Sequence, residues 1–249
     1  ITGNGTQVYS TYEDADDSYA SITGTSMASP NVAGSLLLLQ QHYDNLNGSY
    51  MKASTLKGLA LHTADDAGDT GPDVIYGWGL MNTKKAAEVI SNNNVSSIIE
   101  EKTLVDGSSY STTVTASGAE DLVVSISWTD SPGTEVTGAN DNTPVLVNDL
   151  DVIVEEGANT YYPYKLTSIT TNTTGNNDVD PYERITIPAP TAGTEFTITV
   201  NHEGSLSTAQ DYSLIVSGIT VNTDLPLVNT TDITNIGLST ATSGGEVVD

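Results

Sequence analysis

The chain has 249 residues, enough for one large domain or two ordinary ones, and carries 32 Asp and Glu against 7 Lys and Arg, a formal charge of −25. A surface that negative repels phosphate backbones, which excludes nucleic acid as a partner. Zero cysteines exclude disulfides, and no stretch approaches the roughly 18 to 20 consecutive apolar residues of a membrane span.

The first segment with evident chemistry is residues 24–30, Gly-Thr-Ser-Met-Ala-Ser-Pro. It puts Ser26 between a tight glycine turn and the first turn of a predicted helix. The N–H groups of a first helical turn have no intrahelical partners and point toward negative charge developing nearby. Ser26 is therefore a candidate nucleophile, and its N–H a candidate oxyanion donor. Residues 31–39, Asn-Val-Ala-Gly-Ser-Leu-Leu-Leu-Leu, are small or apolar, which predicts that this helix is buried in a larger domain. Just upstream, Glu13, Asp14, Asp16 and Asp17 read as an acidic loop face.

A serine hydroxyl is a poor nucleophile unless a histidine takes its proton and a carboxylate holds that histidine. Of the three histidines, His42 follows Ser26 on the same helix at about 24 Å, given a rise of about 1.5 Å per residue. His62 falls in the next apolar helix pattern and reads as structural. His202 ends a strand pattern and reads as solvent-facing. None is expected to serve Ser26.

Further helices are predicted over 49–63 and 83–90, capped by Asn47 or Ser49 and by Asn82 or Thr83. An acidic, glycine-containing loop at 65–73 separates them. From residue 95 the pattern alternates, and strands are expected over 95–101, 109–116, 122–128, 145–155, 160–164, 183–187, 196–202 and 211–219. About eight short strands separated by turn residues read as an antiparallel sandwich or jelly roll. Asp149 and Asp151 alternate with Leu150 and Val152, so both carboxylates leave one strand face. With Asp130, Asn148, Asp178 and Glu183 they supply hard oxygen ligands for a cation, or else form a solvated face. Trp128 and the tyrosines at 161, 162 and 164 read either as packing or as a binding surface.

Residues 24–30, with Val32-Ala33-Gly34, resemble the serine signature of the subtilisin-like serine peptidases, the subtilases. The likeness extends upstream through 8–11 and 19–23 and downstream through 56–65 and 76–82. Asn31 departs from it, since many members carry histidine there. The resemblance implies that Ser26 attacks a peptide carbonyl to form an acyl-enzyme, that the substrates are proteins or peptides, and that the protein is bacterial and secreted or on the cell surface. The family's Asp-Ser/Thr-Gly and His-Gly-Thr motifs precede its serine, and neither occurs in this sequence. The triad Asp and His are thus expected from an upstream part of the same polypeptide, and these 249 residues alone are expected to be inactive.

Residues 127–132, 146–151 and 210–216 resemble the β-barrel domain appended to a group of bacterial subtilases, which implies structural calcium. The expected fold class is α/β for a partial subtilisin-like domain over 1–94, then an all-β jelly-roll or sandwich domain over 95–220. Residues 221–249 read as a linker and the start of an immunoglobulin-like or fibronectin-like repeat. The alternative function is a non-catalytic adhesion or carbohydrate-binding β-sandwich carrying a pseudopeptidase remnant.

Overall fold

A computed structural model describes residues 1–138, 141, 143–168 and 170–220, together with the backbone of 227–230 and 245–248. It opens with a hairpin of β1 (Val8–Thr11) and β2 (Tyr19–Ile22), whose connection holds Glu13, Asp14, Asp16 and Asp17 in solvent. Three helices follow: α1 (Thr25–Asn47), α2 (Ala53–His62) and α3 (Thr83–Ser91). Asn82 caps α3 by accepting from Lys85 N–H at 2.9 Å. The start of α2 differs from expectation, because no side chain caps it at Lys52. Instead Lys52 N–H donates to Glu101 Oε1 at 2.8 Å, so a contact distant in sequence replaces the local cap.

The β region comprises β3 (Ser97–Leu104), β4 (Tyr110–Ala116), β5 (Leu122–Trp128), β6 (Leu150–Glu156), β7 (Asn159–Tyr161), β8 (Tyr164–Ser168), β9 (Thr171–Thr174), β10 (Tyr182–Ile187), β11 (Glu195–His202), β12 (Gln210–Ser217) and β13 (Ile219–Thr220). Nine of them form two antiparallel sheets, ordered β10-β5-β12-β3 and β13-β4-β11-β6-β7, and β8 pairs with β9 in a separate hairpin. One apolar core joins the sheets, with Leu122, Val124, Ile126 and Trp128 of β5 facing Leu150, Val152 and Val154 of β6 and Phe196, Ile198 and Val200 of β11. Alternation in these strands puts one side chain in two into that core, which makes the region a β-sandwich.

The expected strand at 145–155 begins only at Leu150, because Asp130 holds Val147 and Asn148 N–H groups at 2.6 and 3.0 Å in a loop. The strand expected over 160–164 divides at Pro163 into β7 and β8, since proline cannot donate to a ladder. The linker expected at the start of 221–249 lies outside the described residues. So does most of the repeat expected to begin within 221–249, of which only the backbone pairing of β14 (Leu227–Thr230) with β15 (Gly245–Val248) is described.

A second core lies against the outer face of the four-stranded sheet, where Leu39, Met51, Leu59, Ala86, Val89 and Ile90 meet Ile99 of β3 and Ile215 of β12. Consequently every residue of β5 is buried, Val123, Ser125 and Ser127 facing α2. The expectation that α1 is enclosed is not met within this chain. Only Leu39 of that helix is buried, while Leu37, Leu38 and Leu46 are 71%, 60% and 57% exposed. The reason is geometric: α2 and α3 cover one stripe of α1, leaving its other faces bare. None of the described helices is long and apolar enough to cross a membrane.

Candidate functional site

Ser26 is the second residue of α1, and three chain segments hold the turn before it. Gly24 N–H donates to Gly5 C=O at 2.9 Å, and Gly24 C=O accepts from Met27 and Ala28 N–H groups at 3.0 and 3.2 Å. A Cβ on Gly5 would stand 2.6 Å from Gly24 O, so this approach requires glycine. Residues 1–6 are fixed in turn by the loop before α3, through Thr2 N–H to Gly79 C=O at 2.8 Å and Met81 N–H to Thr2 C=O at 2.9 Å. The predicted glycine turn at 76–82 thus braces the serine turn.

Thr25 and Ser26 N–H groups have no acceptor among the described residues. Their dipoles point out of the helix end, where an oxyanion is stabilised. Pro30 supplies no N–H, so Ser26 C=O also lacks its helical partner. The Ser26 side chain is exposed and lines an open hollow of about 390 Å³ with Val8, Thr11, Ile22, Met27 and Asn31. The β1–β2 hairpin forms one wall and α1 the other.

Each histidine has partners elsewhere. His42 Nε2 bonds Ser91 Oγ at 2.8 Å, tying α1 to α3. His62 is buried with Nδ1 at 2.8 Å from Ser125 Oγ and Nε2 at 2.9 Å from Ser217 Oγ. His202 is half-buried rather than fully in solvent, and its Nε2 accepts from Gly107 N–H at 2.8 Å. None of the three histidines therefore stands against Ser26.

The acidic residues singled out from sequence divide into two groups. Asp130 Oδ1 and Oδ2 are taken by backbone N–H groups of Ser131, Asn148 and Val147. Asn148 is buried, donating to Gln210 Oε1 at 2.9 Å and accepting from Ser207 N–H at 3.0 Å. These two shape the loop entering β6. Asp149, Asp151 and Glu183 are different: Asp149 Oδ1, Asp151 Oδ1 and Glu183 Oε1 are buried with no hydrogen-bond partner among the described residues, as is Asn201 Oδ1. Asn201 pairs with Asp151 across β11 and β6, and Glu183 Oε2 accepts from Val152 N–H at 2.7 Å.

Burial, followed by the charges of Asp151, Asp178, Glu203 and Asp130, pushes the Asp149 carboxyl up to about 7. Burial, then Glu203 and Asp178, pushes Asp151 up to about 6. Glu183 is also held well above its ordinary value, by burial first and then by Asp151 and Asp149. Among the described residues no three Asp, Glu or His side chains stand arranged to hold an ion. Asn201 and Glu203 escaped the sequence reading because only the register of β11 on β6 brings them to Asp151 and Asp149. Trp128 is fully buried, its Nε1 donating to Asn148 C=O at 3.0 Å, so it is core and not a binding surface.

A serine presented at a glycine-braced helix start, with free N–H groups beside it, is the arrangement of a hydrolase nucleophile. Residues 1–79 match the model of the subtilase family. Subtilisin DY of Bacillus licheniformis is 40% identical over 88 residues, which cover 35% of this chain and 28% of that protein. An extracellular serine protease of Serratia marcescens is 37% identical over 68 residues, covering 27% of this chain and 6% of its own length. The serotype-specific antigen 1 of Mannheimia haemolytica is 41% identical over 63 residues, 25% of this chain and 6% of that protein. The chain therefore spans only 6% to 28% of the length of these relatives. Its first 79 residues are a subtilase-like, serine-protease-related region.

Proposed function

We propose that this chain is the C-terminal portion of a secreted or surface-exposed serine endopeptidase acting on proteins or peptides, with Ser26 as the nucleophile. The observation that carries the reading is the exposed Ser26 at the open end of α1, within the residues that match the subtilase model. Ser26 Oγ attacks the scissile carbonyl, and the oxyanion is met by the N–H groups of the first turn. The amine leaves and water then releases the acyl group. The proton acceptor and its orienting carboxylate come from outside these residues, since His42, His62 and His202 are all committed elsewhere. The bare leucines of α1 support the same reading, as a face covered by the rest of a catalytic domain. On it, residues 1–94 belong to that domain, 95–220 form an appended jelly-roll-type domain, and 221–249 begin a further repeat.

Calcium at the acidic cluster belongs to this proposal. The four orphaned buried oxygens are hard donors of the kind calcium takes; since no three acidic side chains stand ready around an ion among the described residues, Asp149, Asp151, Asp178 and Glu183 would have to draw together with the Asn201 amide oxygen to hold it. The ion would supply positive charge that lets these carboxylates ionise together.

A fluorophosphonate probe applied to the longer polypeptide tests the peptidase reading. Labelling that disappears in Ser26→Ala is expected, and an unlabelled wild type would sink the idea. The 249 residues alone are expected to leave a peptide substrate intact.

A further inference from the structure

The seam between the subtilase-like region and the β-sandwich contains a second, more enclosed cavity of about 250 Å³, which shares no lining residue with the Ser26 hollow and is lined among others by Asp66, Trp78, Asp121, Tyr164, Arg184 and Thr186. Its walls come from both regions. The 65–73 loop is latched to β9 by Asn172, which donates to Thr70 C=O at 2.9 Å and Pro72 C=O at 3.0 Å. Gly71, at φ +83, lies so close to the Tyr164 ring that a Cβ there would stand 2.9 Å from it. Trp78 meets Tyr164 edge-on at 6.3 Å and Tyr182 at 5.0 Å, which fixes the aromatic wall. The cavity is thus built before any ligand arrives.

Its polar groups are unusual. Arg184 is the one arginine in the chain. One Nη donates to Leu61 C=O at 3.3 Å, and the guanidinium stands 5.9 Å from the centre of the Trp78 ring. Arg184 Nε is buried with no partner among the described residues, and so is Thr186 Oγ1, two residues along β10 and on the same strand face. A buried guanidinium N–H without an acceptor is costly, and a carboxylate satisfies both its charge and its geometry. Asp66 and Asp121 each accept one backbone N–H, from Gly71 and from Ala189 respectively, and neither forms an ion pair with Arg184 among the described residues. Two carboxylates in the same wall also disfavour a ligand that is purely anionic.

We propose that this cavity binds a small zwitterion, a free amino acid or dipeptide with an apolar side chain. Its carboxylate lies on Arg184 and Thr186, its ammonium faces Asp66 and Asp121, and its side chain rests against Trp78 and Tyr164. The volume, just below the roughly 300–1,000 Å³ of drug-sized pockets, suits one or two residues.

Isothermal calorimetry of the full chain with L-leucine and L-phenylalanine, free, N-acetylated or C-amidated, tests this directly, with glucose and galactose as neutral polyols for comparison. Saturable binding of the free amino acids is expected, with each capped form weaker by about tenfold or more, the effect of losing one charge-assisted contact. Arg184→Gln is expected to abolish binding. Because that change also removes the contact to Leu61, Thr186→Val and Asp121→Asn serve as milder variants, each expected to weaken binding while the melting temperature holds. Equal binding of capped and free ligands, binding of the sugars instead, no binding at all, or wild-type affinity in Thr186→Val and Asp121→Asn would each overturn the proposal.

Discussion

Gly58 of α2 and Ser127 of β5 approach so closely that a Cβ on the glycine would stand 2.8 Å from the serine Cβ and 3.3 Å from Ile215 Cδ1. This contact lets a helix lie flat on a sheet that already packs a sandwich core on its other side. Small side chains make the seam: Ser54 and Thr55 bond Ser213 at 3.0 and 2.8 Å, and His62 bridges Ser125 and Ser217. Gly58→Ala is expected to destabilise the chain. Overpacking costs about 1–3 kcal/mol, against a gain in helix propensity of roughly 1 kcal/mol. Gly34 in α1 has nothing within 4 Å of its Cβ position, so Gly34→Ala should stabilise by about 0.5–1 kcal/mol. Urea midpoints of the two variants should move in opposite directions.

His62 carries a pH dependence into the same seam. Burial first, then the positive charges of Arg184 and Lys85, holds it well below its ordinary value. Below about pH 6.5 the unfolded chain takes up a proton that the folded chain refuses, so stability falls as the pH drops. His62→Gln should cost about 1–3 kcal/mol near neutral pH through the two serine hydroxyls it leaves imperfectly paired. That gap should narrow from about pH 7 to about pH 5, because glutamine does not titrate. A gap that stays constant over this range would remove His62 as the source.

Trp128 tests whether the sandwich offers an aromatic binding surface at that position. It is fully buried, and its Nε1 bond to Asn148 C=O fixes the loop entering β6. Trp128→Phe removes ring volume and leaves that carbonyl unpaired, at an expected cost of about 2–4 kcal/mol. Tyr162 is 47% exposed, and Tyr162→Ala should fall within about 0.5 kcal/mol of wild type. Thermal unfolding of both variants checks the contrast.

Much of this was legible in the residues themselves. The alternation of Leu150, Val152 and Val154 located β6 and put Asp149 and Asp151 on its other face, and the glycines around Ser26 announced a tight turn. What escaped depended on contacts distant in sequence. The α2 start was misplaced because Glu101, rather than a local cap, holds Lys52. The β8–β9 hairpin was missed apart from Tyr164, because a Thr- and Asn-rich strand such as β9 carries no apolar alternation. For the candidate sites, Ser26 could be read from a local motif, whereas the partners of Asp151 and Arg184 exist only once strands are in register. Leucines 37 and 38 of α1 misled for a related reason, since an apolar run reports that a face needs covering and not what covers it.

The acidic cluster gives a dependence of the opposite sign to that of His62. Asp149 and Asp151 are pushed up to about 7 and about 6, chiefly by burial and then by neighbouring carboxylates. Between about pH 4 and about pH 7 the folded chain therefore holds protons that the unfolded chain has released, and metal-free stability falls as the pH rises through that window. A bound cation favours the ionised carboxylates and reverses the loss. Calcium should accordingly raise the melting temperature more at about pH 8 than at about pH 5, where protons compete for the same oxygens. Asp149→Asn should flatten the decline in the metal-free chain and blunt the calcium response. Asp130→Asn, in a side chain already occupied by backbone N–H groups, should instead weaken the loop at every pH. If calcium leaves the melting temperature unchanged at high pH, the four orphaned oxygens are a strained core feature and not a cation site.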